Sequence, residues 1–481
     1  MKAVPVKTAI PVPEALPDQD VGGSTSARTY MSFIAVVGSI GGLLFGYDTG
    51  IIASALSPLS KQFGLSTGME QIVVSSILVG CAVGALGAGS LTDRFGRRRV
   101  VSMVAVVFAI AAILSALTTS TLSLIFFRFL LGLAVGGASQ AIPVYISELA
   151  PRARRGGLVV TFQLAIIVGI LISSVAGILL IGQDNSWRWM IALGSIPALI
   201  LVFGMKVLPE SPRYLYKAGR IDEARQVLNR VRKPGSDIEG ELDEIRAVEE
   251  LDAKNTGSWG ELTSGRVRPA LMAGLGVAIL CQITGVNAII YYAPTILAGA
   301  GFKGTAGLWV SLLNTGVLFF MTVLGIRLVD HWGRRKLLLR WIPLSALGLL
   351  ILALSFTGAS SSAPWLTVLG MICFMAFNGG SLSVAVWLVI AEVFPLKLRG
   401  KATSIAAAAV WVADLAVSLT TLTLVEGLGA RGAFLVFFGI SIVAFVFTYL
   451  CIPETKGRSL EDIEESLDQG TFRPVGNMAH R

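Results

Sequence analysis

Twelve stretches of this chain are apolar over about 20 residues each, the length that crosses the ~30 Å hydrocarbon core of a bilayer. They run over 32–56, 72–91, 100–118, 121–144, 158–181 and 189–208, and then over 268–297, 306–328, 337–357, 364–391, 403–425 and 431–452. Lipid satisfies no backbone N–H or C=O, so each stretch must close its own hydrogen bonds as a helix. With 54% hydrophobic and 14% charged residues in 481, and a mean hydropathy of +0.74, the chain is too apolar for a soluble enzyme of its length. The expectation is an all-α membrane protein.

Lys and Arg set its orientation. Alternate connections carry Arg94, Arg97, Arg98 and Arg99, then Arg152, Arg154 and Arg155, then the polar middle, then Arg334, Arg335 and Lys336, then Lys397, Arg399 and Lys401. The opposite connections hold little beyond Lys61, Arg188, Lys303 and Arg431. Positive charge stays inside, which places both termini in the cytoplasm of a multi-pass inner-membrane protein. The chain then divides into a disordered cytoplasmic tail (1–30), a first half (31–208), a linker of short amphipathic helices (209–265), a second half (266–452) and a cytoplasmic tail (453–481). No cleavable signal precedes the first span, which is expected to insert as a signal anchor.

The halves repeat. Asp93-Arg94-Phe95-Gly96-Arg97-Arg98 returns 237 residues later as Asp330-His331-Trp332-Gly333-Arg334-Arg335. The set Glu148-x-x-Pro151-x-x-x-Arg155-Gly156 returns after 244 residues as Glu392-x-x-Pro395-x-x-x-Arg399-Gly400, and Pro209-Glu210 returns at the same offset as Pro453-Glu454. Three motifs in one order mean twelve transmembrane helices in two parallel six-helix halves, an architecture that places a translocation path between them. The carboxylates and guanidiniums of these sets sit at span ends, where bidentate pairs form without deep burial. They are expected to form a cytoplasmic gate that breaks as the halves rock.

A lone carboxylate stands in the middle of the first apolar stretch: Asp48, inside Gly41-Gly42-Leu43-Leu44-Phe45-Gly46-Tyr47-Asp48-Thr49-Gly50. A carboxylate there costs roughly 3 kcal/mol even on lenient insertion scales, which marks it as functional. The fourth span carries Arg128, the residue type that would hold such an acid ionised. The net charge of +9 is spread over short connections and forms no stripe for nucleic acid. Cys81, Cys281, Cys373 and Cys451 lie in apolar runs without metal-site spacing, and neither His331 nor His480 lies in a span, so no metal, cofactor or histidine proton relay is expected. No nucleophile, metal set or phosphate loop supports an enzyme.

Together the Gly41–Gly50 run, both D-x-x-G-R-R loops, Pro209-Glu210-Ser211-Pro212-Arg213, Gln282-x-x-Gly285-Val286-Asn287 with Tyr291-Tyr292, and Pro453-Glu454-Thr455-Lys456-Gly457 make the chain resemble the sugar porter family of the major facilitator superfamily. The resemblance implies a central site for a hexose, pentose or cyclic polyol, opened alternately to either side by a carrier that works as a monomer. By the same resemblance Gln163, Gln282, Asn287, Asn314, Trp387 and Trp411 are substrate contacts, with Phe45 and Asp414 beside them. Amides and indoles suit such ligands, because an amide both gives and accepts hydrogen bonds and a flat ring packs on a C–H face. Asp48 and Arg128 hold the positions that carry the proton in family members driven by a proton gradient.

Three residues or segments depart from the family pattern: Cys281 where a glutamine is common, Ser381-Leu382-Ser383-Val384 where a glycine and proline bend precedes Trp387, and Asp414 where an asparagine is common. Asp414 leaves three uses open, namely a proton site, a contact for a cationic substrate, or a partner for a neighbouring arginine. The expectation is proton-coupled import of a monosaccharide or polyol. Its rivals are facilitated uniport, proton-driven export of cations and a sensor without turnover.

Overall fold

A computed structural model describes residues 25–151, 155–254, 259–356, 364–395, 398–458 and 460–472. Of the expected tails over 1–30 and 453–481, residues 1–24 and 473–481 lie outside them, as do Arg152, Arg154 and Lys397, whereas 25–30, expected as disordered tail, begin the first helix. The described residues are helical almost throughout, and eleven helices or helix pairs are long and apolar enough to cross a membrane.

In the first half, α1 (Thr25–Phe63), α2 (Thr67–Phe95), α3 (Arg97–Ala116), α4 (Thr121–Leu149) and α5 (Arg155–Leu180) are single rods, and the sixth span is broken into α6 (Ser186–Ala192) and α7 (Ser195–Val207). Hydroxyls start two of the rods: Ser66 accepts from the Met69 N–H and Ser120 from the Ser123 N–H. Such caps satisfy backbone donors that the first turn leaves free. The linker holds α8 (Pro212–Lys217), α9 (Ile221–Val231) and α10 (Ile238–Lys254), followed by a 3₁₀ turn over Trp259–Thr263.

The second half contains α11 (Arg268–Ile283), α12 (Val286–Gly299), α13 (Ala306–Trp332), α14 (Arg334–Leu354), α15 (Pro364–Gly380), α16 (Leu382–Glu392) and α17 (Arg399–Cys451), and α18 (Leu460–Asp468) follows. The pairs α11/α12 and α15/α16 are the seventh and tenth spans, each broken in the middle. Helix α17 holds the last two spans in one run of 53 residues, bent at Gly429 with φ 71°. That bend reconciles eleven long elements with twelve crossings.

Within the first half α2 packs on α4, α1 on α5 and α3 on α4; within the second, α14 packs on α15 and α17, α11 on α17 and α13 on α15. The halves meet where α2 touches α17, α5 touches α13 and α1 touches α12. Lipid is as apolar as leucine, so helices in a membrane associate through close packing more than through burial. The glycine-rich first span shows this: a Cβ on Gly46 would lie 1.7 Å from the Ile166 carbonyl oxygen, and one on Gly169 would lie 2.3 Å from that of Leu43. Side chains such as Leu86, Leu122, Phe203, Phe320 and Leu450 face outward, as lipid contact requires.

The linker has a small core of its own. Ala224, Leu228 and Val231 are buried along one face of α9, and Leu215, Leu242 and Ile245 close over it. Arg232 then joins the linker to the first half: Nη1 donates to the Leu149 carbonyl at 2.7 Å, and its other nitrogens pair with Glu241. On the second half, Ile463, Leu467 and Phe472 bury against Leu262 and Val267, while Arg266 pairs with Glu464 and Asp468.

Candidate functional site

The arginine-rich ends of the two halves are built alike. Arg97 pairs with Asp93 at 3.3 Å and with Glu148 at 3.0 Å. Arg334 pairs with Asp330 at 3.9 Å and with Glu392 at 2.7 Å. A hydroxyl from the segment after each half's last span, Ser211 in one and Thr455 in the other, donates to Glu148 and to Glu392. Glu210 accepts from the Arg98 N–H and Glu454 from the Arg334 N–H, both at 2.9 Å. Arg98 and Arg335 reach back to carbonyls of the same half, Leu208 at 3.1 Å and Tyr449 at 2.8 Å. These ion pairs stay within one half, so the sequence-predicted gate residues are present as two separate braces in the state seen here. Arg399 donates to the Phe394 carbonyl at 3.3 Å; Arg155 begins α5, and its side chain lies outside the described residues.

At the opposite end the halves are joined by hydrogen bonds. Thr67, which begins α2, donates to Glu426 on α17, and Thr423 on α17 donates to Gln71 on α2 at 3.0 Å. Sequence reasoning missed these four residues, which lie more than 350 positions apart. The signal available was a glutamine within the apolar α2, a group that needs a partner when buried.

Between these ends lies Asp48, 4% exposed, with Arg128 at 0%. Their charged atoms stand 3.6 Å apart. Arg128 Nε donates to the Val73 carbonyl at 2.8 Å, which aims the guanidinium at the acid, while Asp48 Oδ2 and Arg128 Nη1 make no hydrogen bond. The pair is therefore in coulombic contact without a closed bidentate bridge. It lines a cavity with Phe45, Cys81 and, from the other half, Tyr291. Breaking a buried pair by removing one partner costs about 3–5 kcal/mol.

The remaining residues fall into groups. Phe45 on α1 and Trp411 on α17 bring their rings to 5.2 Å across the interface of the halves, and the Trp411 indole N–H has no partner. Gln282 and Asn287 face each other across the break between α11 and α12, with Asn287 donating at 2.9 Å. The break is held by Gly285 at φ 94° and by Asn378, which donates to Thr284 at 3.3 Å. Asn314 on α13 is 2% exposed, lines a second cavity with Ser54, Ser174 and Ser311, and leaves both amide atoms without partners.

Gln163 on α5 is half-buried. Trp387 on α16 is 41% exposed, which sets it apart from the buried members. The bend before Trp387 persists without the family's usual residues: α15 ends at Gly380, Ser381 takes φ −121° and ψ −82°, and α16 begins at Leu382. Asp414 accepts from Tyr291 Oη at 3.0 Å, so the structure gives it a tyrosine where an arginine was one expectation. Tyr291 belongs to the site although sequence reasoning used it only as a motif residue; a tyrosine hydroxyl buried in a span needs an acceptor.

The chain matches the family model described as "Sugar (and other) transporter" over residues 34–467. It is 38% identical over 456 residues to the D-xylose transporter of Levilactobacillus brevis, covering 93% of this chain and 98% of that one. It is 37% identical over 446 residues to the glucose transporter GlcP of Staphylococcus epidermidis, covering 92% and 98%. Among solved structures, the proton:xylose symporter XylE of E. coli, bound to 6-bromo-6-deoxy-D-glucose, superimposes with a TM-score of 0.78 at 29% identity, over 91% of this chain and 99% of that one.

Proposed function

This chain belongs to the sugar (and other) transporter family, a family of multi-pass membrane transporters and not of enzymes, and from that premise we propose proton-coupled import of a monosaccharide or cyclic polyol. The observation that carries the reading is the Asp48–Arg128 pair, buried in a cavity that reaches both halves and lacks a closed bridge. A carboxylate held ionised by a guanidinium takes up a proton when geometry or ligand separates them. The names of the relatives, with xylose, glucose and a proton:xylose symporter among them, support the substrate class and the ion.

The cycle follows from the parts. With the arginine-rich ends inside a bacterial-type inner membrane and both termini cytoplasmic, the joined ends of α2 and α17 close the outer side. When they separate, a proton from outside binds Asp48 and frees Arg128. Substrate then enters among Gln163, Gln282, Asn287, Asn314, Trp387 and Trp411, with Phe45 and Asp414 adjoining. Its arrival lets the halves rock, and Asp93, Arg97, Glu148, Asp330, Arg334 and Glu392, which link the halves across the inner side while the outer side is open, return to their separate braces. Substrate leaves inward, the proton follows, and Arg128 regains its carboxylate. One chain supplies every group named, so a monomer suffices.

The test is uptake of labelled D-xylose, D-glucose and myo-inositol into proteoliposomes, with and without an inward proton gradient, for wild type and Asp48→Asn. Symport predicts accumulation under the gradient that the variant loses while it keeps downhill exchange. Equilibration without accumulation in wild type overturns coupling and leaves a uniporter. Transport of organic cations with no competition from any sugar overturns the substrate class.

A further inference from the structure

Asp414 stands on α17 one turn after Trp411 and is 2% exposed. Its partners are both neutral donors: the Tyr291 hydroxyl, which donates to Oδ2 at 3.0 Å, and the Asn287 amide. The same amide donates from Nδ2 to Gln282 Oε1 at 2.9 Å. An amide nitrogen carries two hydrogens and an amide oxygen none, whereas an ionised carboxylate only accepts. Nδ2 of Asn287 therefore serves both Gln282 and Asp414, and the three side chains form a line with one polarity. What remains of the two amides is Asn287 Oδ1, an acceptor, and Gln282 Nε2, a donor. Both side chains are half-buried at the break between α11 and α12, where a ligand can reach them.

Two amides by themselves permit either direction. Turning both over exchanges nitrogen for oxygen and keeps the bond between them. The carboxylate removes that choice, because a reversed Asn287 would turn its oxygen toward an oxygen with no hydrogen to give. At 2% exposure, bulk water does not supply the missing hydrogen, so the reversed line carries the cost of a buried acceptor left unpaired. An asparagine at 414 would meet Asn287 equally well in either direction, since its own amide both gives and accepts.

We propose that Asp414 is a positioning residue that sets the direction of hydrogen bonding at the sugar site. Through it, Asn287 presents an acceptor to a substrate hydroxyl that must donate, and Gln282 presents a donor to one that must accept. Asp414 acts through Asn287, and the assignment rests on the placement of Gln282 and Asn287 at the substrate in the reading above. A substrate of this carrier then has a free hydroxyl, not an ether or a methoxy group, at the position that meets Asn287.

Competition against the labelled parent sugar, on the purified full chain in detergent, reads binding alone and survives loss of turnover. The probes are D-xylose, D-glucose and myo-inositol, each with its monodeoxy and deoxyfluoro analogues. Fluorine accepts a hydrogen bond and cannot donate one; hydrogen does neither. At the position read by Gln282, wild type should bind the fluoro analogue about tenfold better than the deoxy one. At the position read by Asn287 the two should be equally poor, each about tenfold or more below the parent. Asp414→Asn should level the two positions, the fluoro analogue gaining about tenfold at the second. Asp414→Glu keeps a group that only accepts and should keep the wild-type pattern. The parent sugar both gives and accepts, so it binds to a line running either way and reports that each variant is folded.

Unchanged ratios in an Asp414→Asn chain that binds the parent overturn the proposal, as does a wild type that treats fluorine alike at every position. Should Asp414→Asn elute as aggregate, Asp414→Glu decides: the wild-type pattern supports the assignment and a levelled one overturns it. Failure of wild type to bind any of the three parents is the separate result that defeats the sugar reading itself, and this assignment with it.

Discussion

The carboxylate of Glu210 occupies the space above Gly96 that a side chain would fill, with Oε2 2.4 Å from where a Cβ would stand. Glu454 sits over Gly333 in the same way, again at 2.4 Å. Both glycines hold positive φ, 94° and 86°, and both lie at the turn between two helices that the neighbouring arginines begin. Alanine at Gly96 meets the carboxylate and a backbone conformation it resists, so Gly96→Ala should cost about 1–3 kcal/mol. A melting temperature in detergent equal to wild type would show that the carboxylate is not seated there.

The contact between α2 and α17 predicts a shift in population. Gln71→Ala with Glu426→Ala removes two hydrogen bonds that join the halves, each contributing about 0.5–1.5 kcal/mol. The state open at that end should grow by roughly tenfold, which corresponds to about 1.4 kcal/mol. Electron–electron distance measurements between spin labels on the ends of α2 and α17 read this as a larger long-distance fraction. An unchanged distribution would remove the contact from the gating scheme.

Asn314 predicts opposite changes in stability and affinity. Its amide is buried and makes no hydrogen bond within the protein, so Asn314→Leu removes a desolvation cost of about 1–3 kcal/mol and should raise the melting temperature. The same substitution removes a partner for a substrate hydroxyl and should raise KM about tenfold or more for the transported sugar. A variant that is less stable than wild type would mean the amide has a structural partner.

Outside the membrane, Arg225 donates to Glu239 from two nitrogens and holds its carboxyl below the usual carboxylate range. The folded carboxyl gives up its proton more readily than the unfolded one. The link between α9 and α10 is therefore fully present above the ordinary glutamate range and is lost as pH falls through the folded value. Both groups are exposed, so the effect is small. Hydrogen exchange over 238–254, corrected for the intrinsic rate, should rise in acid in wild type and be indifferent to pH in Glu239→Gln.

The spans were legible because a bilayer demands about 20 apolar residues each time the chain crosses it, and no other requirement yields that pattern. The repeat was legible in Asp93 to Arg98 and its later copy, and the pairing of Asp48 with Arg128 followed from residue type and depth together with the family resemblance. The breaks in the sixth and seventh spans were not. A break such as that at Thr284 and Gly285 depends on hydrogen bonds from another helix, here Asn378, and a hydropathy window averages over it. The contact from Gln71 to Thr423 was hidden for the same reason, since only the assembled halves bring those residues together. Trp387 was placed by motif position, and its exposure is a property of the packing around α16.

The single bend at Gly429 leaves no slack between the last two spans. Trp411 and Asp414 are thus borne on the arm that precedes the bend, and the final crossing starts directly after it. For anyone wishing to attach a reporter to this carrier, the turn after α5 around Gly182 and the junction at Gly429 are both open ground, since a Cβ built at either glycine meets nothing within 4 Å.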